Sequence, residues 1–402
     1  MKKICISLLL YLMSAMSVNA NDAVYFMSGN QLLPLVETQI SVAKEILTIS
    51  LKDDGTADVD VYYEFMNNGE EKDILMGFEA NAPYNAGTPV SNDYQHPFMK
   101  GFSVVMNSHT LPYTNGIVKS GIENGLTELD RKVWRSYYDD KDAKFPGMDD
   151  ALYNQQLDSV VSYSYVYKFN AHFKNGKNIV HHTYNYKMGY GVGMTFSLDY
   201  KLSPAIRWAN HQIDDFTLRI KAENTAKHFV LDCGITSDDE IKAAAGKMKT
   251  RMVSLSYNEE KRCPEVSLRN GVVEWHKENL VPRTELSLVS ADRYLMTHSK
   301  ELKGNMWLGA FYDRSVNYNP EMIVGCLGKG NEKIDPRILR NLPYASRGYV
   351  FSSKYLKTYF NNQWWYIPDA DWKPSTNDFT PKDKECIAKA EAMEKGKKVQ
   401  GK

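Results

Sequence analysis

Net charge is the first thing missing from this 402-residue sequence: Lys and Arg together number 49, and so do Asp and Glu. A chain without an overall positive field is not held to nucleic acid by general electrostatics, so no nucleic-acid partner is expected, although a balanced chain can still carry a local basic patch. Cysteine is scarce as well. Five are present, and Cys5 lies in the leader described below, which leaves Cys233, Cys263, Cys326 and Cys386. No CxxC pair and no Cys/His spacing marks a zinc site, so neither a metal nor a cofactor is expected. Beyond the leader no stretch approaches the ~20 apolar residues of a membrane-spanning helix, so no transmembrane segment is expected. GxSxG, HExxH and P-loop motifs are also missing, and with them the common signatures of hydrolases and nucleotide enzymes. The expectation is a protein that is not an enzyme. The alternative is an envelope-associated hydrolase whose groups are distant in sequence and meet only in the fold.

What is present begins with residues 1–20. Lys2 and Lys3 precede an apolar core from Ile4 to Met13, and Val18-Asn19-Ala20 forms a small-residue cleavage site before Asn21. This is the pattern of an export signal. A lipoprotein would need a cysteine at the cleavage point, and Cys5 lies too early. The mature protein is therefore expected outside the cytoplasm, periplasmic or secreted. In an oxidising compartment the four remaining cysteines permit three pairings. Cys233 with Cys263 and Cys326 with Cys386 is the simplest; buried thiols in the core are the alternative.

Period-two alternation carries most of the chain. Leu47, Ile49 and Leu51 alternate with polar residues, and so do Val59, Val61, Tyr63 and Phe65 across the turn Lys52–Thr56. Half-buried strands have this period. Val161, Tyr163, Tyr165, Tyr167 and Phe169, then Val180, His182, Tyr184 and Tyr186, outline two longer strands. Cross-strand packing accounts for these tyrosines more simply than stacking on sugars. His181 and His182 should point to opposite faces. Further strands follow at Phe216–Ile220, Phe229–Leu231, Met252–Tyr257, Val266–Leu268, Val272–Trp275 and Leu286–Val289, with Asn270-Gly271 reading as a hairpin turn. Glu123–Tyr138 and Asp238–Lys249 read as helices. The fold class expected is mainly β, two sandwich-like domains with a helical insertion, followed by a small α-helical C-terminal module. The boundaries are 21–115 and 158–290 for the β domains, 116–157 for the insertion, 291–334 for a connector and 335–395 for the module.

Two resemblances accompany this reading. Ser28-Gly29-Asn30-Gln31-Leu32, Tyr63–Asn68, Tyr165–Phe173, Lys201–Trp208, Ile213–Phe216 and Val273-Glu274-Trp275 resemble, in order and spacing, an uncharacterised bacterial exported family of β domains. That family has no assigned catalytic residues. Leu339-Arg340-Asn341, Tyr344-Ala345, Gly348-Tyr349, Phe351, Tyr359-Phe360, Trp365-Tyr366 and Pro368 resemble the YARHG domain, a small extracellular module. Ser346 and Arg347 stand where the motif has Arg and His, so chemistry by that histidine is not expected here. Gly348 is expected to take a positive φ after a helix, and the aromatics to fill a small core. Thr380-Pro381-Lys382-Asp383 opens a last helix with an N-cap and a first-turn acid. Arg340, Arg347, Tyr349 and Trp364 are the candidates for a ligand groove on this module. The function expected is that of an exported envelope-binding or scaffold protein, with an envelope glycan or an envelope protein as partner.

Overall fold

The alternating pattern is answered, in a computed structural model of the protein, by seventeen strands among the described residues. Those residues are 20–28, 31–34, 39–81, 93–119, 163–191, 194–223, 227–235, 240–255, 258–290, 335–375 and 377–396. The export signal before Ala20, the expected helix at 123–138 and the 291–334 connector lie outside them. The first eight strands are β1 (Ala20–Ser28), β2 (Gln31–Pro34), β3 (Ile40–Leu51), β4 (Thr56–Asn67), β5 (Lys72–Asn81), β6 (Met99–Met106), β7 (His109–Thr110) and β8 (Thr114–Lys119). The rest are β9 (Tyr163–Phe173), β10 (Gly176–Lys187), β11 (Gly189–Gly191), β12 (Met194–Tyr200), β13 (Ile213–Ala222), β14 (Lys227–Asp232), β15 (Ile241–Leu255), β16 (Asn258–Leu280) and β17 (Leu286–Ser290).

The smaller sheet has the order β2-β1-β5-β9-β8, and the larger one β11-β12-β17-β14-β16-β13-β3-β4-β10-β6-β7 with β15 paired to β16. Strands from the two β stretches share both sheets. β9 joins β5, β10 joins β4, and β13 runs parallel to β3.

β16 is the seam of the larger sheet. Ala222 at the end of β13 faces Gly271, and Lys227 at the start of β14 faces Leu268. β13 and β14 therefore lie end to end along one edge of β16. Val266 pairs with Phe229 on that edge and with Thr250 of β15 on the other. From the seam one branch leads through β13 to β7 and the other through β14 to β11. The branches meet again at a buried polar contact. The hydroxyls of Tyr63 on β4 and Tyr200 on β12 lie 2.7 Å apart, and Tyr200 donates to Glu45 Oε1 at 3.0 Å. Glu45 faces inward because the β3 register shifts between Val42 and Lys44, which inverts the alternation at that point. Burial and the neighbouring carboxylate drive the Tyr200 hydroxyl well above its ordinary pKa.

The second long hairpin follows its alternation. Val180, His182, Tyr184 and Tyr186 are buried on one face of β10, while His181 points outward to Asp60 at 3.0 Å. His182 packs with Phe78, Phe102 and Phe169, and Phe102 stacks on Tyr167 at 4.5 Å. Each such apolar side chain stabilises the fold by about 1.5–3 kcal/mol relative to exposure. Cys233 and Cys263 are both buried. Cys326 and the Cys386 side chain lie outside the described residues.

Two local expectations are corrected. The segment 241–249 is not helical; it belongs to β15. Its Lys-Ala-Ala-Ala composition favours a helix locally, but pairing with β16 from Ile241↔Trp275 to Leu255↔Asn258 prevails. Asn270-Gly271 is not a hairpin turn either. β16 runs straight through it as 23 residues, with Asn270 at φ +46°. A Cβ on Gly271 would lie 2.5 Å from the Ala245 carbonyl oxygen. Glycine here marks two bulged backbones in close approach at the corner where the sheet divides.

The C-terminal module forms as expected. Its helices are α1 (Pro336–Ser346), α2 (Lys354–Asn361) and α3 (Pro381–Glu394). Asp335 caps α1 through the Arg337 backbone N–H, and Thr380 with Asp383 forms a capping box on α3. Ile338, Leu339, Leu342, Phe351, Phe360, Trp365 and Tyr366 make a separate core.

Candidate functional site

Period two also governs the outward faces of β15 and β16. Val266 and Leu268 point into the body, which leaves Glu265, Ser267 and Arg269 on the opposite face. β15 sets Arg251, Lys249 and Lys247 opposite these three, and β14 sets His228 beside Ser267. The result is a polar strip three strands wide.

The segment Trp364–Asp369, which follows α2, lies along this strip. Lys249 Nζ donates to the carbonyls of Trp364 at 3.1 Å and Tyr366 at 2.7 Å, and Lys247 Nζ donates to Pro368 O at 3.4 Å. Ser267 Oγ donates to Trp365 O at 2.9 Å. Arg269 Nη2 meets Asp369 Oδ2 at 2.8 Å. The Trp364 ring covers the Arg251 guanidinium at 4.5 Å and the His228 ring at 5.3 Å, a cation–π stack. Beneath it Glu265 accepts from His228 Nε2 at 2.6 Å and from Arg251 Nε. Burial alone would push the Glu265 carboxyl upward, but His228 and Arg251 together hold it below its ordinary value. Arg269 likewise holds Asp369 low, while burial pulls the Lys249 amine down.

The module's motif residues take part in this docking. Gly348 has φ +85°, and a Cβ there would lie 2.7 Å from Ile367 O and 3.1 Å from Arg269 Cζ. The expected positive φ is present, and the same glycine admits the body's arginine. Arg347 is buried, with Nη2 2.5 Å from Asp383 Oδ2 and Nη1 on Pro343 O. Burial pushes the Asp383 carboxyl up to about 6, with the nearby charge of Asp53 in the β3–β4 turn adding to it and the Thr380 backbone N–H opposing it. Asp53 itself pairs with Lys227 at 2.9 Å.

The four groove candidates are engaged separately. Arg340 pairs with Glu394 at 2.9 Å on the surface, and Arg347 is inside the module. Tyr349 packs among Tyr344, Phe351 and Trp372, and Trp364 lies against the body. Lys247, Lys249, Arg251, Glu265, Ser267, Arg269 and His228 were not anticipated. Their signal is the alternation itself, Lys-Met-Lys-Thr-Arg against Glu-Val-Ser-Leu-Arg, which is legible once residues 247–251 are read as strand.

Comparison with known proteins adds the following. Residues 327–395 match the YARHG domain. No curated protein matches the chain. Among solved structures, a candidate nutrient-binding protein from Legionella pneumophila is similar over 92% of this chain and 99% of its own, with 17% identity and a TM-score of 0.42. An M1 zinc metallopeptidase from Deinococcus radiodurans aligns with 63% of this chain and 43% of its own, at 9% identity and a TM-score of 0.26. A candidate protease from Parabacteroides distasonis aligns with 72% of this chain and 49% of its own, at 9% identity and a TM-score of 0.25. At these scores the likenesses carry no functional argument. Among the described residues no helix is long and apolar enough to cross a membrane.

Proposed function

We propose that the chain is an exported, non-enzymatic protein of the cell envelope that binds or scaffolds envelope material, with body and YARHG module acting as one docked unit. The observation that carries this reading is the seating of Trp364–Asp369 on the β14–β16 strip. Side chains of the body hold main-chain carbonyls of the module and the Asp369 carboxylate along its length, so the two present a composite surface. The Lys2–Ala20 export pattern and the YARHG match support the exported compartment of this reading.

Two experiments test it. N-terminal sequencing of protein recovered from cell fractions should begin at Asn21 outside the cytoplasm; an intact Met1 terminus in the cytosol removes the export half. The tagged full-length mature chain, incubated with envelope fractions, should retain glycan or protein well above a tag-only control. Recovery at the level of that control removes the binding half.

A further inference from the structure

The strip beneath the module carries more positive charge than the module answers. Lys247, Lys249, Arg251 and Arg269 face Glu265 and Asp369, four permanent cations against two carboxylates. Among the described residues Lys249 meets two backbone carbonyls and no carboxylate. The Arg269 side chain is 4% exposed, yet its Nε has no hydrogen-bond partner, and neither has Arg251 Nη2. Buried donors without acceptors cost free energy, so they mark a surface shaped for acceptors that the present occupant only partly provides. The occupant itself is acceptor-rich: three carbonyls, of Trp364, Tyr366 and Pro368, face the lysines, with one carboxylate at Asp369. Arg251, Lys249 and Lys247 recur every second residue, a repeat of about 7 Å along a strand. Such a repeat suits a chain bearing regularly spaced anions.

From this we propose that the β14–β16 strip is a binding site for a polyanionic polymer with repeated phosphate or carboxylate groups. The Trp364–Asp369 segment of the YARHG module is its built-in cap. Docked, the segment supplies neutral carbonyls to Lys247 and Lys249; displaced, it leaves Lys247, Lys249 and Arg269 to the polymer and uncovers Arg251, which stays paired with Glu265. Trp364 is the latch, since its ring covers Arg251 and His228 without supplying an anion. The inference rests on the reading of the chain as an envelope-binding protein and names the ligand class for it.

The test uses the full-length mature chain with two opening variants, the double substitution Trp364→Ala with Asp369→Ala and the single charge reversal Asp369→Lys. Hydrogen exchange over 363–370 reports whether the cap has lifted. Inorganic polyphosphate and polygalacturonate serve as phosphate and carboxylate probes at low salt. A capped site binds weakly in proportion to its open fraction, so opening should tighten binding about tenfold or more. Adding Lys247→Ala and Lys249→Ala to the opened protein should abolish that gain, and raising the salt should weaken it. Preference for one probe distinguishes a phosphate-bearing from a carboxylate-bearing polymer. An opened chain that binds neither probe more tightly than wild type overturns the proposal, as does a gain that survives removal of both lysines. Undiminished protection of 363–370 in both variants also overturns it, because the contacts named would then not hold the cap. If wild type still retains envelope material while the opened forms gain nothing, the inference fails and the proposed function stands.

Discussion

The two faces of β16 make the sharpest comparison in this molecule. Val266 and Leu268 on one face and Glu265 and Ser267 on the other are all 0% exposed, yet they are buried for different reasons. The inner pair is driven from water by the hydrophobic effect and has no comparable alternative to the core. The outer pair is polar and well solvated when open, so the module covers it only by replacing water with carbonyls, a carboxylate and an aromatic ring. Equal burial thus hides unequal commitment. The inner face belongs to folding, and the outer face belongs to docking.

Substitutions should separate these commitments. The largest effect is expected from Arg347→Ala, which strands the buried Asp383 carboxyl at the centre of the module. Breaking such a pair costs about 3–5 kcal/mol. The module's helical signal should melt early while strands of the body persist, so two transitions should appear in thermal circular dichroism; one unchanged transition would contradict the pairing. Leu268→Ala should act on the other face and cost about 2–5 kcal/mol of body stability through lost burial and a residual cavity. Denaturant titration of the body should show it as a lowered midpoint.

Smaller effects belong to the docked face. Trp364→Ala removes the stack on Arg251, worth about 0.5–2 kcal/mol. Exchange should quicken over 363–370 with little change in the melting of the body; a global loss would instead place Trp364 in a folding core. Ser267→Ala leaves the Trp365 carbonyl without its donor and should cost about 1 kcal/mol of docking.

Acidity should then distinguish the faces without any substitution. Glu265 and Asp369 are both held below their ordinary values by their cationic partners. The docking contact of Asp369 with Arg269, and the Glu265 pairing that holds Arg251 beneath Trp364, are complete above the ordinary carboxylate range, near about 4, and are lost as pH falls through the lowered values. Exchange over 363–370 should hold steady from neutral pH down to that range and rise below it, with Val266 and Leu268 still protected. Steady protection at still lower pH would remove the Arg269–Asp369 pair as a holding contact.

Much of the fold was legible because local rules and tertiary packing agreed. The alternation in Leu47–Leu51, Val59–Phe65 and Val180–Tyr186 became β3, β4 and β10, with the expected faces inward. Thr380 and Asp383 wrote the start of α3 into four residues. Reading failed where neighbours overruled local preference. Residues 241–249 carry helix-forming composition but hydrogen-bond to β16, and Asn270-Gly271 has turn chemistry inside a strand that continues. The candidate site was missed as a consequence, since Lys247, Lys249 and Arg251 share a face only in a strand. Arg340, Arg347, Tyr349 and Trp364 were grouped by composition and closeness in sequence, which does not show that Arg347 turns inward to Asp383 while Trp364 turns outward to the body.

By itself, then, the sequence determined the β character, the caps, the aromatic core of the module and the positive φ at Gly348, all of which follow from interactions within a few residues or from strict periodicity. Tertiary structure alone decided which strands share a sheet, that β16 is one strand continuing through Gly271, and that the module closes over a cationic strip. Those outcomes depend on partners one hundred or so residues away, as Lys249 and Tyr366 or Ser267 and Trp365 are. A short-range pattern cannot specify a partner that only loop closure and packing bring near.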